Sequence, residues 1–314
     1  YFIKEKILIS AKNEFLDKGY ANASLRVISE KAGLTKGALY SYFKNKNALI
    51  IDTGTTKYDA KKTEAVLLDN GLNPKYIFNT HGHVDHCGGN RYFKDNYPGV
   101  EIFSSESEKV FIENPNLLPI LTFSAFPAKR LKYADECTVN YVITDGIKKI
   151  NDEKFEFQSF PGHNTGDMVI TTPDRVTFLG DALFSEYTLL KHPLPYLINI
   201  ALRVESLKAL KEKDSDYFVI SHCDEILDKK SFLRTVDKNL EVIEKTKKEI
   251  TDICSQPLSR EEILQEFSVY HNLEMGYKSY MINLCGLSAF INNLLDENII
   301  DCSVQDMKLV YYAK

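Results

Sequence analysis

The sequence predicts an α/β fold with an all-α head and a small winged-helix-like tail. Three observations carry this. From residue 48 onward, short apolar runs alternate with helix-length amphipathic segments. Ligand-type side chains follow several of those runs directly, where loops meet strand ends. Before residue 48 the pattern changes to three short helices separated by glycine turns. At 314 residues the chain has room for about two domains, or three small ones.

The head comes first. Residues 3–18 predict an amphipathic helix, with Ile3, Ile7, Ala11 and Phe15 four apart and Leu8 in the same stripe. Gly19 ends it. Ser24 caps a second helix that turns Val27 and Ile28 inward, Gly33 marks a tight turn, and Thr35 caps a third helix through Phe43. This order is the helix-turn-helix pattern. Charge follows the same division. Residues 1–50 hold nine Lys/Arg and four Asp/Glu, net +5, whereas the rest holds 30 and 40, net −10. A basic head on an acidic body predicts different partners for the two parts.

The stretch AKNEFLDKGYANASLRVISEKAGLTKGALYSYFKNKNAL resembles the N-terminal DNA-binding domain of TetR-family repressors. The resemblance rests on Gly19-Tyr20, on the turn Ala32-Gly33-Leu34-Thr35-Lys36-Gly37, and on Leu39-Tyr40-x-Tyr42-Phe43 followed by Lys46. It implies that Lys36, Tyr40 and Tyr42 lie on the recognition helix and that Thr35 and Lys46 touch phosphates, making DNA a candidate partner. A plain three-helix bundle with solvated lysines is the alternative. The nearly all-helical continuation of such repressors is absent, because residues 48–52 read as an apolar strand closed by Asp52-Thr53-Gly54.

The body then alternates. Strands are expected at Ala48–Asp52, Tyr76–Asn79, Glu101–Ser104, Phe155–Phe160, Asp167–Thr172, Val176–Leu179 and Tyr217–Ile220, with a helix at Ala60–Asn70. A long charged helix spans 231–250. Helices at Ser259–Phe267 and Leu284–Asn293 follow, with strands near Ile299 and at Lys308–Tyr312, an order that looks like a winged helix. The expected domains are 1–47, 48–230 and 231–314.

The chemistry concentrates in NTHGHVDHCGG. His81, His83, Asp85 and His86 lie within six residues after an apolar strand, a dense donor set suited to zinc. Gly82, Gly88 and Gly89 let that loop turn tightly. His163, Asp181 and His222 each follow a later strand. Five of the seven histidines therefore sit at strand ends, while His192 and His271 have no comparable context.

This set resembles the metallo-β-lactamase superfamily: the HxHxDH signature, the later His163, the GD aspartate Asp181 and the final SH histidine His222 occur in the family's order, after a matching LIIDTG. The resemblance covers about residues 48–228. It implies an αββα sandwich, here lacking its usual first strands, and two zinc ions per chain. One takes His81, His83 and His163, the other Asp85, His86 and His222, and Asp181 bridges them. Two zinc ions about 3.5–4 Å apart can share a hydroxide and present it near neutral pH, with Asp85 as the catalytic residue that orients it and handles its proton. The expected function is a hydrolase of an ester, thioester, lactone or phosphodiester. Alternatives are a purely structural zinc site, a di-iron site, a DNA-binding regulator with a metal-binding body, and a fusion of two truncated proteins. Zinc, iron and manganese all remain open for the metal. Cys87 and Cys223 follow ligands and read as packing groups or metal-sensitive thiols; Phe184, Tyr187 and Tyr196 read equally as substrate mouth or as core.

Six scattered cysteines without a CxxC pair predict reduced thiols and a cytoplasmic protein. The chain starts at Tyr1 rather than Met, so its natural start is expected to be missing. No signal peptide or membrane-spanning apolar run is evident.

Overall fold

The computed structural model describes residues 6, 9–14, 17, 25–33, 47–128 and 134–314. It divides into two compact units, 1–48 with 64–74 and 49–63 with 75–314.

In the first unit, residues 9–14 are helical and α1 spans Leu25–Lys31. Ile28 and Ala32 are buried and pack with Ala11. Lys31 Nζ pairs with the fully buried Glu14 carboxylate at 2.9 Å. The third helix expected from Thr35 to Phe43 falls outside the described residues, and with it Thr35, Lys36, Tyr40, Tyr42 and Lys46.

From residue 47 onward the chain builds two large sheets. β1 (Asn47–Ile51), β2 (Asn73–Phe78), β3 (Glu101–Ser104) and β4 (Tyr141–Val142) form a four-stranded sheet in that order. β2, β3 and β4 are parallel. Parallel neighbours need crossovers. Between β2 and β3 these are α3 (Val84–Cys87) and α4 (Asn90–Asn96); α2 (Lys57–Asp69) lies between β1 and β2. Helices α5 (Glu106–Glu113) and α6 (Leu117–Phe123) separate β3 from β4.

The second sheet has six strands: β5 (Gly146–Ile150), β6 (Glu153–Ser159), β7 (Met168–Thr171), β8 (Val176–Phe178), β9 (Tyr217–Val219) and β10 (Ile226–Asp228). Only β8 and β9 pair in parallel, joined through α7 (Glu186–Lys191) and α8 (Ile200–Leu210). Phe78 and Phe103 from one sheet meet Phe157, Met168 and Ile170 from the other in a shared apolar cluster. Ile77 and Ile102, adjacent to two of these, are also fully buried. Strand side chains alternate between faces, so the first sheet is covered on both sides.

The outer face of the second sheet packs against α9 (Lys229–Ile253), α10 (Arg260–Tyr270) and α11 (Tyr277–Asp296) in one core that includes Phe218, Phe232, Ile243, Phe267 and Phe290. The buried face of α9 runs through Phe232, Val236, Asn239, Ile243, Thr246 and Ile250, a three-and-four spacing. α11 begins seven residues before the expected Leu284, with Tyr277, Tyr280 and Met281 continuing the apolar spacing ahead of it, none of them fully buried. A hairpin of β11 (Ile300–Gln305) and β12 (Lys308–Ala313) closes the chain. Its turn residues Asp306 and Met307 both have positive φ, 48° and 64°, as a two-residue I′ hairpin requires. A single bridge, Leu258 to Tyr311, ties the hairpin to the start of α10. Among the described residues no helix is long and apolar enough to cross a membrane.

Candidate metal centre

Every predicted ligand stands just beyond a strand or on a short helix after one. β2 ends at Phe78 and the chain reaches His81 and His83; α3, one turn long, then holds Asp85 and His86. His163 follows β6, Asp181 follows β8, and His222 follows β9. Strand ends give these loops rigid anchors.

The side chains converge into three overlapping donor groups: His81, His83 and His163; His81, His86 and Asp181; Asp85, His86 and His222. His83 Nδ1 lies 2.8 Å from His81 Nε2 and 2.9 Å from His163 Nε2. Asp181 stands between the two triads, its oxygens 3.4 Å from His163, 3.5 Å from His86 and 3.6 Å from His222. Asp85 Oδ2 is 3.4 Å from His222 Nε2 and 3.8 Å from His86 Nε2. All seven predicted ligand residues thus meet in one place.

Neighbouring groups fix which ring nitrogens point inward. His163 Nδ1 faces the Tyr196 carbonyl at 3.0 Å, which only accepts, so Nδ1 carries the hydrogen. His86 Nδ1 faces the Asp52 carboxylate at 2.8 Å, with the same consequence. The Thr80 hydroxyl gives its hydrogen to Asp52 at 2.7 Å and so accepts from His81 Nδ1 at 3.1 Å. In neutral rings the inward nitrogens are therefore bare. His86 Nε2 and Asp181 Oδ1 are buried with no hydrogen-bond partner. Buried polar atoms without partners are rare. A cluster of lone pairs plus carboxylates is satisfied by cations, so the donor set fits the expected metal ions.

Ionisation follows from burial and neighbours. Burial, reinforced by the adjacent rings, pushes His81 well below 6.5. Burial likewise takes His83 down to about 3 and His163 to about 4. Burial opposes charge on His86, but the Asp181 and Asp52 carboxylates outweigh it and raise its pKa well above 6.5. The nearby Asp181 and Asp85 carboxylates raise His222 to about 10. Burial pulls Asp181 and Asp85 upward, yet the His86 charge and the His222 contacts hold both below the usual carboxylate range.

Several supporting residues were not legible in the sequence. Asp52, at positive φ beyond β1, accepts from the Thr80 amide, the Thr80 hydroxyl and His86. Asn79 and Asn90 bond each other at 2.7 Å, and Asn79 also holds the His86 carbonyl. Arg203 is fully buried, donates to the Asp181 carbonyl at 2.9 Å, and lies 4.7 Å from the Phe184 ring centroid.

The uncertain neighbours separate. Phe184 is buried. Tyr196 packs edge-on against His83 and His163 at centroid distances of 5.5 and 5.7 Å. Tyr187 is exposed and lines a cleft of about 530 Å³ with His222, Cys223 and Arg234. Cys87 is buried, its Sγ 3.5 Å from the Gly82 carbonyl, and burial raises its thiol pKa, so it packs as a small apolar group. His271 pairs with Glu249 at 2.9 Å.

Residues 37–222, more than half of the chain, match the model of the metallo-beta-lactamase superfamily. The chain belongs to that superfamily. Residues 7–53 match a second model, that of bacterial regulatory proteins of the tetR family. Over 128 residues the chain is 33% identical to the hydroxyacylglutathione hydrolase of Brucella ovis, covering 40% of this chain and 40% of that protein. Over 76 residues it is 38% identical to the HTH-type transcriptional regulator YdgC of Bacillus subtilis, covering 24% of this chain and 39% of that protein. The chain thus spans about two fifths of the length of each of these relatives. A metallo-beta-lactamase family protein from Thermus thermophilus superposes with TM-score 0.68 at 16% identity, over 84% of this chain and 89% of that one. A beta-lactamase domain protein from Burkholderia ambifaria gives 0.62 at 16%, over 85% and 82%. At that identity the likeness establishes the superfamily fold.

Proposed function

We propose that residues 48–230 form a binuclear zinc-dependent hydrolase domain that cleaves an ester, thioester, lactone or phosphodiester. Residues 1–47 are the TetR-like head, and 231–314 are a linker helix with a winged-helix-like extension. The observation that carries the reading is the convergence of seven donor side chains around inward lone pairs. His81, His83 and His163 would hold one metal; Asp85, His86 and His222 the other; Asp181 would touch both. Bound there, the metals supply Lewis acidity, which acidifies water and polarises a carbonyl or phosphoryl oxygen.

The chain's own residues do the rest. Asp85, partly exposed beside His222, would orient the attacking water and take its proton at a carboxylate oxygen. Tyr196 and Phe184 wall the histidines from the far side and exclude solvent there. The substrate enters by the cleft at His222, Tyr187 and Arg234. The match to a hydroxyacylglutathione hydrolase puts thioesters first on the panel. Metal analysis of the purified full chain tests the reading: about two zinc ions per chain and hydrolysis restored by zinc after chelation are expected. A well-folded preparation that takes up no metal refutes it.

A second reading, a DNA-binding regulator with a metal-binding body, is favoured by the match over residues 7–53. It predicts salt-dependent, sequence-preferring DNA binding that weakens on changing Tyr42 and Lys46.

A further inference from the structure

Glu108 lies on α5, is fully buried, and touches none of the donor atoms. Its two carboxylate oxygens accept four hydrogen bonds. Oε2 takes the Gly82 amide at 2.8 Å and the Asn164 side chain at 2.8 Å. Oε1 takes the Gly166 amide at 2.7 Å and the Thr165 hydroxyl at 3.1 Å. Gly82 sits between His81 and His83. Asn164, Thr165 and Gly166 follow His163. One carboxylate therefore joins the two loops that supply the three-histidine group.

The surroundings are shaped for this contact. A Cβ on Gly82 would lie 3.2 Å from the Glu108 carboxylate and 2.9 Å from Phe111. A Cβ on Gly166 would lie 2.0 Å from the Ser107 hydroxyl. Only glycine lets these two amides come so close. Ser105, the N-cap of α5, adds a second tie by donating to the Gly166 carbonyl at 2.8 Å. Burial pushes the Glu108 pKa above 4.5 while the four donors favour its ionised form, and hydrogen bonds to an ionised carboxylate are the stronger kind.

We propose that Glu108 is a positioning residue that sets the spacing between the His81–His83 loop and the His163 loop, and thereby the metal affinity and coordination geometry of the three-histidine site. The inference rests on the reading of those histidines as metal ligands. Groups outside the ligand set typically change metal affinity about 10- to 100-fold when removed. In Glu108→Gln the amide N–H faces a donor whichever way the side chain turns, so at least one loop is released.

The experiment titrates the metal-free full chain with zinc against a chromophoric chelator, and with cobalt followed by its visible bands. Wild type, Glu108→Gln, Asn164→Ala and the core variant Phe290→Ala are compared. Asn164→Ala removes one of the four donors. Phe290→Ala perturbs a fully buried residue of the helical core that is not among the donor groups. The expected result is about 10- to 100-fold weaker zinc binding at one of two sites in Glu108→Gln, with shifted cobalt bands. Asn164→Ala shows a smaller change in the same direction, and Phe290→Ala shows neither. Wild-type affinity and bands in Glu108→Gln overturn the proposal, as does an equal change in Phe290→Ala. If Glu108→Gln does not fold, Asn164→Ala decides by the same criteria. A wild type that binds no metal refutes the underlying reading instead.

Discussion

Replacing Asp52 with Ala probes how the protein fixes its ring nitrogens. The carboxylate accepts from the Thr80 amide at 2.9 Å, the Thr80 hydroxyl at 2.7 Å and His86 Nδ1 at 2.8 Å. Thr80 and His86 are each about 2% exposed, so water does not easily replace the lost acceptor. Two donors, the Thr80 amide and His86 Nδ1, lose their partner. At about 1–3 kcal/mol for each buried donor left unpaired, the variant loses roughly 2–4 kcal/mol once partial solvent entry is allowed. The Thr80 hydroxyl is freed to donate to His81 Nδ1, which moves the His81 proton onto the inward nitrogen. His86 loses the partner that orients its ring. Zinc affinity accordingly falls about 10- to 100-fold. Asp52→Asn keeps the shape, yet its amide opposes one of the same donors in either orientation; its stability loss is smaller and its loss of affinity comparable. Urea unfolding of the metal-free chain and chelator competition measure the two quantities. Wild-type zinc affinity in both variants would show that Asp52 does not set the tautomers.

Other outcomes follow from the same geometry. Gly162→Ala, at φ 130° and with a new Cβ 2.6 Å from the Arg203 backbone, displaces the His163 loop and lowers the melting temperature; thermal unfolding checks this. Arg203→Ala leaves the buried Asp181 backbone carbonyl without its donor and costs about 1–3 kcal/mol by denaturant titration. Glu262 is held at about 2, first by Lys308 and then by the Ser259 cap. Its folded pKa is depressed from 4.5, so its stabilisation is complete above about pH 4.5 and fades as pH falls toward 2. Glu262→Gln therefore flattens the acid limb of the unfolding curve in that window. Zinc at a hundred times its dissociation constant stabilises the folded chain by about 2.7 kcal/mol, which a chelator reverses in a thermal scan.

The donor residues were legible because HxHxDH packs four of them into six positions and the others follow apolar strands. Their supports were not. Asp52 reads as the end of a strand, and nothing local announces a bond to His86, 34 residues away. Glu108 looks like an ordinary acid in the first turn of a helix, where such residues are favoured for the helix dipole alone. Its partners lie 26 to 58 positions away. Arg203, in IALRVESL, has the look of a solvated helix face, yet it is enclosed. Among the strands, β4 was missed because a run of two residues carries no periodicity, and β10 because only Ile226 and Leu227 in it are apolar, between charged neighbours. β5 was missed because Lys148 and Lys149 interrupt its apolar pattern.

Solvent reaches the donor cluster unevenly. The side chains of His222 and Asp85 are 45% and 41% exposed, whereas those of His86, His163 and Asp181 are at most 8%. If the cluster holds two ions as proposed, the one among Asp85, His86 and His222 would leave first on slow dialysis against a chelator, and the half-occupied species would keep its ion among His81, His83 and His163.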